Sequence, residues 1–145
     1  MKKFKLTTPV GFLMSIAAII FIFGMSSCAK KMNFQSSNIV PAAEGNVKIK
    51  KDNNNNYRVD VSVTNLAEPK KLSPPKDTYV VWIETSNGVT NAGRMGSSSG
   101  LFSSALKAKL TATSLSKPTR VFITAENDGN ITFPGSEIVL STGSF

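Results

Sequence analysis

The side chains able to do chemistry in this chain are few, and their types limit what it can be. There is no histidine and one cysteine, Cys28. That composition removes histidine-dependent triads, a thiol nucleophile elsewhere in the chain, and the usual zinc and copper ligand sets. Gly96-Ser97-Ser98-Ser99-Gly100 has the form G-x-S-x-G around Ser98. That motif works on a strand-to-helix turn with a histidine to take the serine proton, and the chain offers neither. Ser73–Lys76, Ser104–Lys107 and Ser114–Lys117 match S-x-x-K. A Ser- and Lys-rich sequence gives such matches by chance, and no companion SDN or KTG motif is present. Paired carboxylates remain. Glu84 and Glu126 lie near the ends of two strand-like segments, an arrangement glycoside hydrolysis could use if the strands brought them together.

Oxygen-rich segments offer equally little for a metal. Asp52, Asn54 and Asn56 alternate as in a calcium loop, but Tyr57 and Val63 stand where the loop glycine and the bidentate glutamate belong. A hairpin tip is the better reading. Asp128 and Asn130 form a turn with the same oxygen chemistry, and Asn130-Ile131-Thr132 is a glycosylation sequon. No metal site or cofactor is expected.

The elements that must position these groups begin with the first 28 residues. Lys2, Lys3 and Lys5 precede an apolar run from Val10 to Met25, followed by Ser26, Ser27 and Cys28. This order is that of a secretory signal peptide, and the run is shorter than the roughly 20 residues a spanning helix needs. The competing reading is an uncleaved anchor helix ending at a chance cysteine, against which stand the short run and the lack of a stop-transfer pattern. Small residues directly before a lone cysteine resemble the lipobox of bacterial, Bacteroidetes-like lipoproteins. The resemblance implies cleavage between Ser27 and Cys28, diacylglycerol on the Cys28 thiol, and acylation (palmitate or similar) of the new amino group. It also implies a membrane address. Ala29 replaces the aspartate that retains such proteins at the inner membrane, and Lys30 and Lys31 replace the acidic cluster of surface-exported ones. The expected location is the outer membrane, on its periplasmic face.

Leaving out Lys2, Lys3 and Lys5 lowers Lys plus Arg from 17 to 14 against 9 Asp plus Glu, so the mature part is modestly basic. Its lysines fall in groups: Lys48, Lys50 and Lys51; Lys70, Lys71 and Lys76; Lys107 and Lys109. These read as solvated faces, with attraction to anionic lipid or acidic glycan as the sharper alternative. Nucleic acid is not an expected partner, since aromatic and basic residues do not interleave.

Residues 28–44 hold Asn33, Gln35, Ser36, Ser37, Asn38 and Pro41 without periodicity, and read as a lipidated cysteine followed by a flexible tether. Residues 45–145 read as one domain. Val47 and Ile49, then Tyr57, Val59, Val61 and Val63, alternate with polar residues as a hairpin around the asparagine run. A proline-marked connection, 66–76, leads to Thr78–Thr85, apolar on both faces as a central strand. Ser86-Asn87-Gly88 is a turn, and Val89–Met95 pairs back. Residues 96–100 read as a loop and most of 101–112 as strand. Thr119–Glu126 and Glu137–Ser141 complete about seven strands. The pattern predicts an all-β, antiparallel, immunoglobulin-like sandwich. Its core candidates are Trp82, buried against the opposite sheet, with Tyr79, Val61 and Ile123.

The succession Tyr79-Val80-Val81-Trp82-Ile83, Gly93-Arg94-Met95, Ile123-Thr124-Ala125-Glu126, Pro134-Gly135-Ser136 and Val139-Leu140 resembles the extracytoplasmic domain of anti-sigma-K-type factors over residues 77–142. The resemblance implies a related sandwich. It does not imply sigma-factor control, because no sigma-binding domain accompanies it. Three functions follow in order: a non-catalytic, lipid-anchored envelope protein that binds or scaffolds a protein or glycan; an accessory of envelope stress signalling; and a carboxylate-dependent glycan hydrolase.

Overall fold

The computed structural model describes residues 29–99 and 106–145. The expected signal segment 1–27, with the expected cleavage residue Ser27, and the expected lipidation residue Cys28 lie outside the described residues, as do Gly100 and Ser104.

Period-two alternation builds the centre of the molecule. Strand β2 (Glu44–Lys51) and strand β3 (Tyr57–Leu66) pair antiparallel, with Val47 opposite Val61 and Ile49 opposite Val59. One face of each is apolar and buried, so the register is held by what a one-residue slip would expose. Their turn is closed by Asp52, whose Oδ1 accepts from the backbone N–H groups of Asn54 (2.8 Å) and Asn56 (2.9 Å), while Asn55 takes a left-handed φ of 64°. Strand β1 (Lys30–Asn33) pairs with β2, strand β7 (Leu106–Ser114) with β3, and strand β6 (Gly96–Ser99) with β7. The second sheet holds strand β4 (Thr78–Thr85), strand β5 (Gly88–Arg94), strand β8 (Pro118–Glu126) and strand β9 (Ile138–Ser141). The orders are β1-β2-β3-β7-β6 and β5-β4-β8-β9. Setting β1 aside, these are the A-B-E-D and C′-C-F-G orders of an immunoglobulin-like sandwich. The expected fold class is the observed one, with nine strands among the described residues in place of about seven.

The inter-sheet core is formed by the inward faces of both sheets, including Val47, Val59, Val61, Val63 and Leu66 from one and Tyr79, Val81, Ile83, Ile123 and Leu140 from the other. Trp82 is fully buried but not against the opposite sheet. With Val80 and Phe122 it faces the other side of its own sheet, where Ile131 packs over it in a second, smaller core. Alternation along β4 decides this: Val81 and Ile83 point inward, so Val80 and Trp82 cannot. The indole Nε1–H donates to Thr124 Oγ1 at 2.8 Å, and the Phe122 ring lies 6.3 Å away in a stacked arrangement. The connection between β8 and β9 lies over this face, and Asn91 Nδ2 donates to the carbonyls of Gly129 (3.0 Å) and Ile131 (2.8 Å). Thr78–Thr85 is thus buried on both faces because a loop covers the one that the partner sheet does not.

Residues 29–44 depart from the expected tether. Lys30–Asn33 is a strand, Phe34 N–H donates to Gly45 O (3.0 Å), and Gln35 N–H reaches Ser141 O of the other sheet (2.8 Å). Ser37, Val40 and Ala43 are buried, with Ser37 Oγ accepting from Val40 N–H at 2.9 Å. A polar composition hides two apolar anchors and a hydroxyl-closed turn, which is why the segment looks like spacer in sequence. The loop expected at 96–100 is likewise strand β6 from Gly96 to Ser99.

Candidate functional site

The carboxylate pair is not assembled. In the β4–β8 register Glu126 sits opposite Thr78 and Glu84 opposite Arg120. The two glutamates therefore lie at opposite ends of β4, six positions apart, roughly 20 Å for an extended strand. Glu84 faces the Arg120 guanidinium at 3.5 Å. Glu126 Oε1 accepts the Gly135 N–H at 2.8 Å and fastens the β8–β9 connection; a Cβ on Gly135 would come within 2.8 Å of that carboxylate. Both carboxylates have structural partners, and neither faces the other.

The serine motifs fare similarly. Ser98 lies within edge strand β6, paired opposite Lys107, rather than on a strand-to-helix turn. Ser114 Oγ donates to Ser116 O at 2.7 Å, closing the turn before β8. Asp128 Oδ1 accepts from Asn130 N–H at 3.0 Å as a turn closure of the kind seen at Asp52. Among the described residues no three His, Cys, Asp or Glu side chains gather where they could hold a metal ion.

The structure holds a concave surface for which the sequence gives no motif. A groove of about 480 Å³ runs between the ends of β2 and β3 and the segment 33–43. Asn33, Gln35, Glu44, Asn46, Ser62 and Thr64 supply amide, carboxylate and hydroxyl groups, with Pro41 and Ala43 among the apolar lining, while the half-buried Phe34 packs against the core. The outward positions of both strands alternate with the buried valines, so Ser62 and Thr64 face the groove because Val61 and Val63 face the core. Gly45 brings the strands close: a Cβ there would lie 2.5 Å from Ser62 O and 3.0 Å from Phe34 Cδ2. The signal lies in the polar run that reads as tether, of which Asn33, Gln35 and Ser36 line one wall of the groove.

Electrostatics are modest. On the outer face of the five-stranded sheet, Asp60 is held below the ordinary carboxylate range. The main cause is the 2.7 Å hydrogen bond from Thr111 Oγ1. Partial burial opposes it, and the Arg58 guanidinium at 3.0 Å and the more distant Lys48 charge reinforce it. Tyr79 is pushed up to about 12 by burial, its hydroxyl donating to Ala67 O at 3.0 Å.

Comparison of the chain with known protein families, curated proteins and solved structures finds no match in any of the three. The residues that resemble anti-sigma-type domains each have a folding role: Tyr79 and Trp82 are buried, Gly93 takes a φ of 123° at a bulge opposite Val81, and Gly135 sits under Glu126. No helix of the described residues is long and apolar enough to cross a membrane.

Proposed function

We propose that this chain is a non-catalytic, lipid-anchored envelope protein whose sandwich binds a glycan in the groove beside β1–β3. The observation that carries the binding reading is the groove itself. It is shallow and concave, lined by amide and hydroxyl groups and the Glu44 carboxylate, and within the usual size range for ligand sites. Such a lining exchanges hydrogen bonds with sugar hydroxyls. The lack of histidine and the separation of Glu84 from Glu126 favour binding without turnover. The lipobox-like Ser26-Ser27-Cys28 supports attachment to the outer membrane, which puts peptidoglycan strands and other envelope glycans within reach.

Two measurements test the reading. Mass spectrometry of the protein recovered from membranes should find an N-terminal peptide starting at acylated Cys28, and Cys28→Ala should leave the membrane fraction. Titration of the detergent-solubilised protein with soluble peptidoglycan fragments should saturate, and Ser62→Trp, which fills the groove, should abolish it. Saturation unaffected by Ser62→Trp would place any glycan site elsewhere.

A further inference from the structure

The groove accounts for one end of the sandwich; the other end has a different chemistry. Three exposed lysines, Lys30 at the start of β1, Lys51 at the end of β2 and Lys117 before β8, surround a shallow depression of about 170 Å³. Two aromatic rings, Tyr57 and Phe145, form its apolar part together with Ile49 and Pro118. Lys30 Nζ stands 5.1 Å from the Phe145 ring centroid, and Lys51 Nζ stands 5.9 Å from that of Tyr57. Beside it, on the turn between β7 and β8, Leu115 is 82 % exposed. The one acidic side chain of the neighbouring β2–β3 turn, Asp52, already accepts two backbone N–H groups through Oδ1. Residue 29, where the described chain begins, enters at this same end.

We propose that this end of the sandwich docks on the surface of an anionic lipid bilayer, with Lys30, Lys51 and Lys117 on headgroup phosphates and Tyr57, Phe145 and Leu115 at the headgroup–acyl boundary. The proposal rests on the acyl anchor at Cys28. Lysines near an anionic surface attract it individually by small amounts, and aromatic rings favour the interfacial level. Three weak contacts hold little alone. A chain anchored two residues before Lys30 presents them at high effective concentration, so the same contacts suffice to orient the domain. Because β1 is part of the sheet rather than a spacer, the anchor has no long leash, and the basic end is the one brought to the membrane.

The test uses the full-length, acylated protein reconstituted on phosphatidylcholine vesicles with or without phosphatidylglycerol, probed by an amine-acetylating reagent and mass spectrometry. Lys51 and Lys117 should react several-fold more slowly, up to about ten-fold, on the phosphatidylglycerol vesicles than on phosphatidylcholine alone. Lys70, at the far end, should react equally on both. The protection should vanish in about 0.5 M salt, where screening shortens the reach of the charges, and in Lys117→Glu the protection of Lys51 should fall. Equal reactivity of Lys51, Lys117 and Lys70 on both vesicles would overturn the proposal, as would the same protection from inorganic phosphate without vesicles. Loss of flotation with phosphatidylcholine vesicles is read separately: it would remove the anchor itself, and the docking proposal with it.

Discussion

The two ends of the sandwich are closed in different ways. At the end where the described chain begins, the connections are short: the β2–β3 turn at 52–56, the β4–β5 turn at 86–87 and the β7–β8 turn at 115–117. Asn87 Nδ2 donates to Ser116 Oγ at 2.9 Å, joining two of these turns directly. At the other end run the long connections 34–43, 67–77 and 127–137. One packs Val40 and Ala43 into the inter-sheet core and walls the groove; another covers Trp82. Short turns make an end that presents lysines around a shallow depression, whereas the long connections make the wall of the larger groove. The difference teaches that one core can present a basic end and a grooved end at once, the two surfaces on which the proposed attachment and recognition rest.

The sharpest way to break this comparison is through the core that both ends share. Leu66 is fully buried where β3 meets β7 near the groove end. Leu66→Ala should cost about 2–5 kcal/mol by lost burial and cavity formation. Thermal melts followed by the Trp82 fluorescence and by groove-ligand binding should shift together. Loss of the groove alone, with an unshifted melt, would mean that the ends are separate units. Gly45→Ala acts closer to one end. Its Cβ would press on Ser62 O, a backbone atom that cannot swing away, so a cost of about 1–3 kcal/mol is expected. Saccharide affinity should fall while the reactivity of Lys51 and Lys117 on vesicles stays as before.

Asn46→Ala combined with Ser62→Ala should weaken saccharide binding about ten-fold, for one or two hydrogen bonds lost. Stability should change by no more than about 0.5 kcal/mol, which calorimetry can check. The smallest effect belongs to Asp60, between the ends. Its folded pKa is lowered, so the stability it contributes is present above the ordinary carboxylate pKa and is lost as pH falls through the folded value. Melting temperatures should therefore decline below about pH 4, and Asp60→Asn should flatten part of that decline. Tyr79 acts at the other extreme: its contribution is complete below about pH 10 and lost as pH rises towards about 12.

The strands legible in sequence are those with a buried face. Alternation marked β2 and β3, the apolar Thr119–Glu126 marked β8, the doubly apolar Thr78–Thr85 marked β4 as central, and β5 was legible from the turn before it. The two strands without a sequence signal, β1 and β6, are the two edges of the five-stranded sheet. An edge strand of four residues, KKMN or GSSS, buries too little to need a pattern, and its pairing depends on a neighbour distant in the chain. Trp82 was legible as buried but not as to which face, because periodicity cannot see that Ile131 and its loop cover the outer side. The candidate site was the least legible part. Its polar residues are ordinary one by one, and only the pairing of β1 with β2 gathers Asn33, Asn46 and Ser62 on one wall.

The claim that one end faces the bilayer while the other stays open is tested most directly by depth. With Cys28 acylated, an introduced cysteine is the only thiol, so a fluorophore can be placed at Leu115→Cys or at Lys70→Cys on the intact protein in phosphatidylglycerol-containing vesicles. Spin-labelled lipid should quench the label at 115 strongly and leave the label at 70 as bright as in unlabelled vesicles. Equal quenching at the two positions, or stronger quenching at 70, would contradict the account.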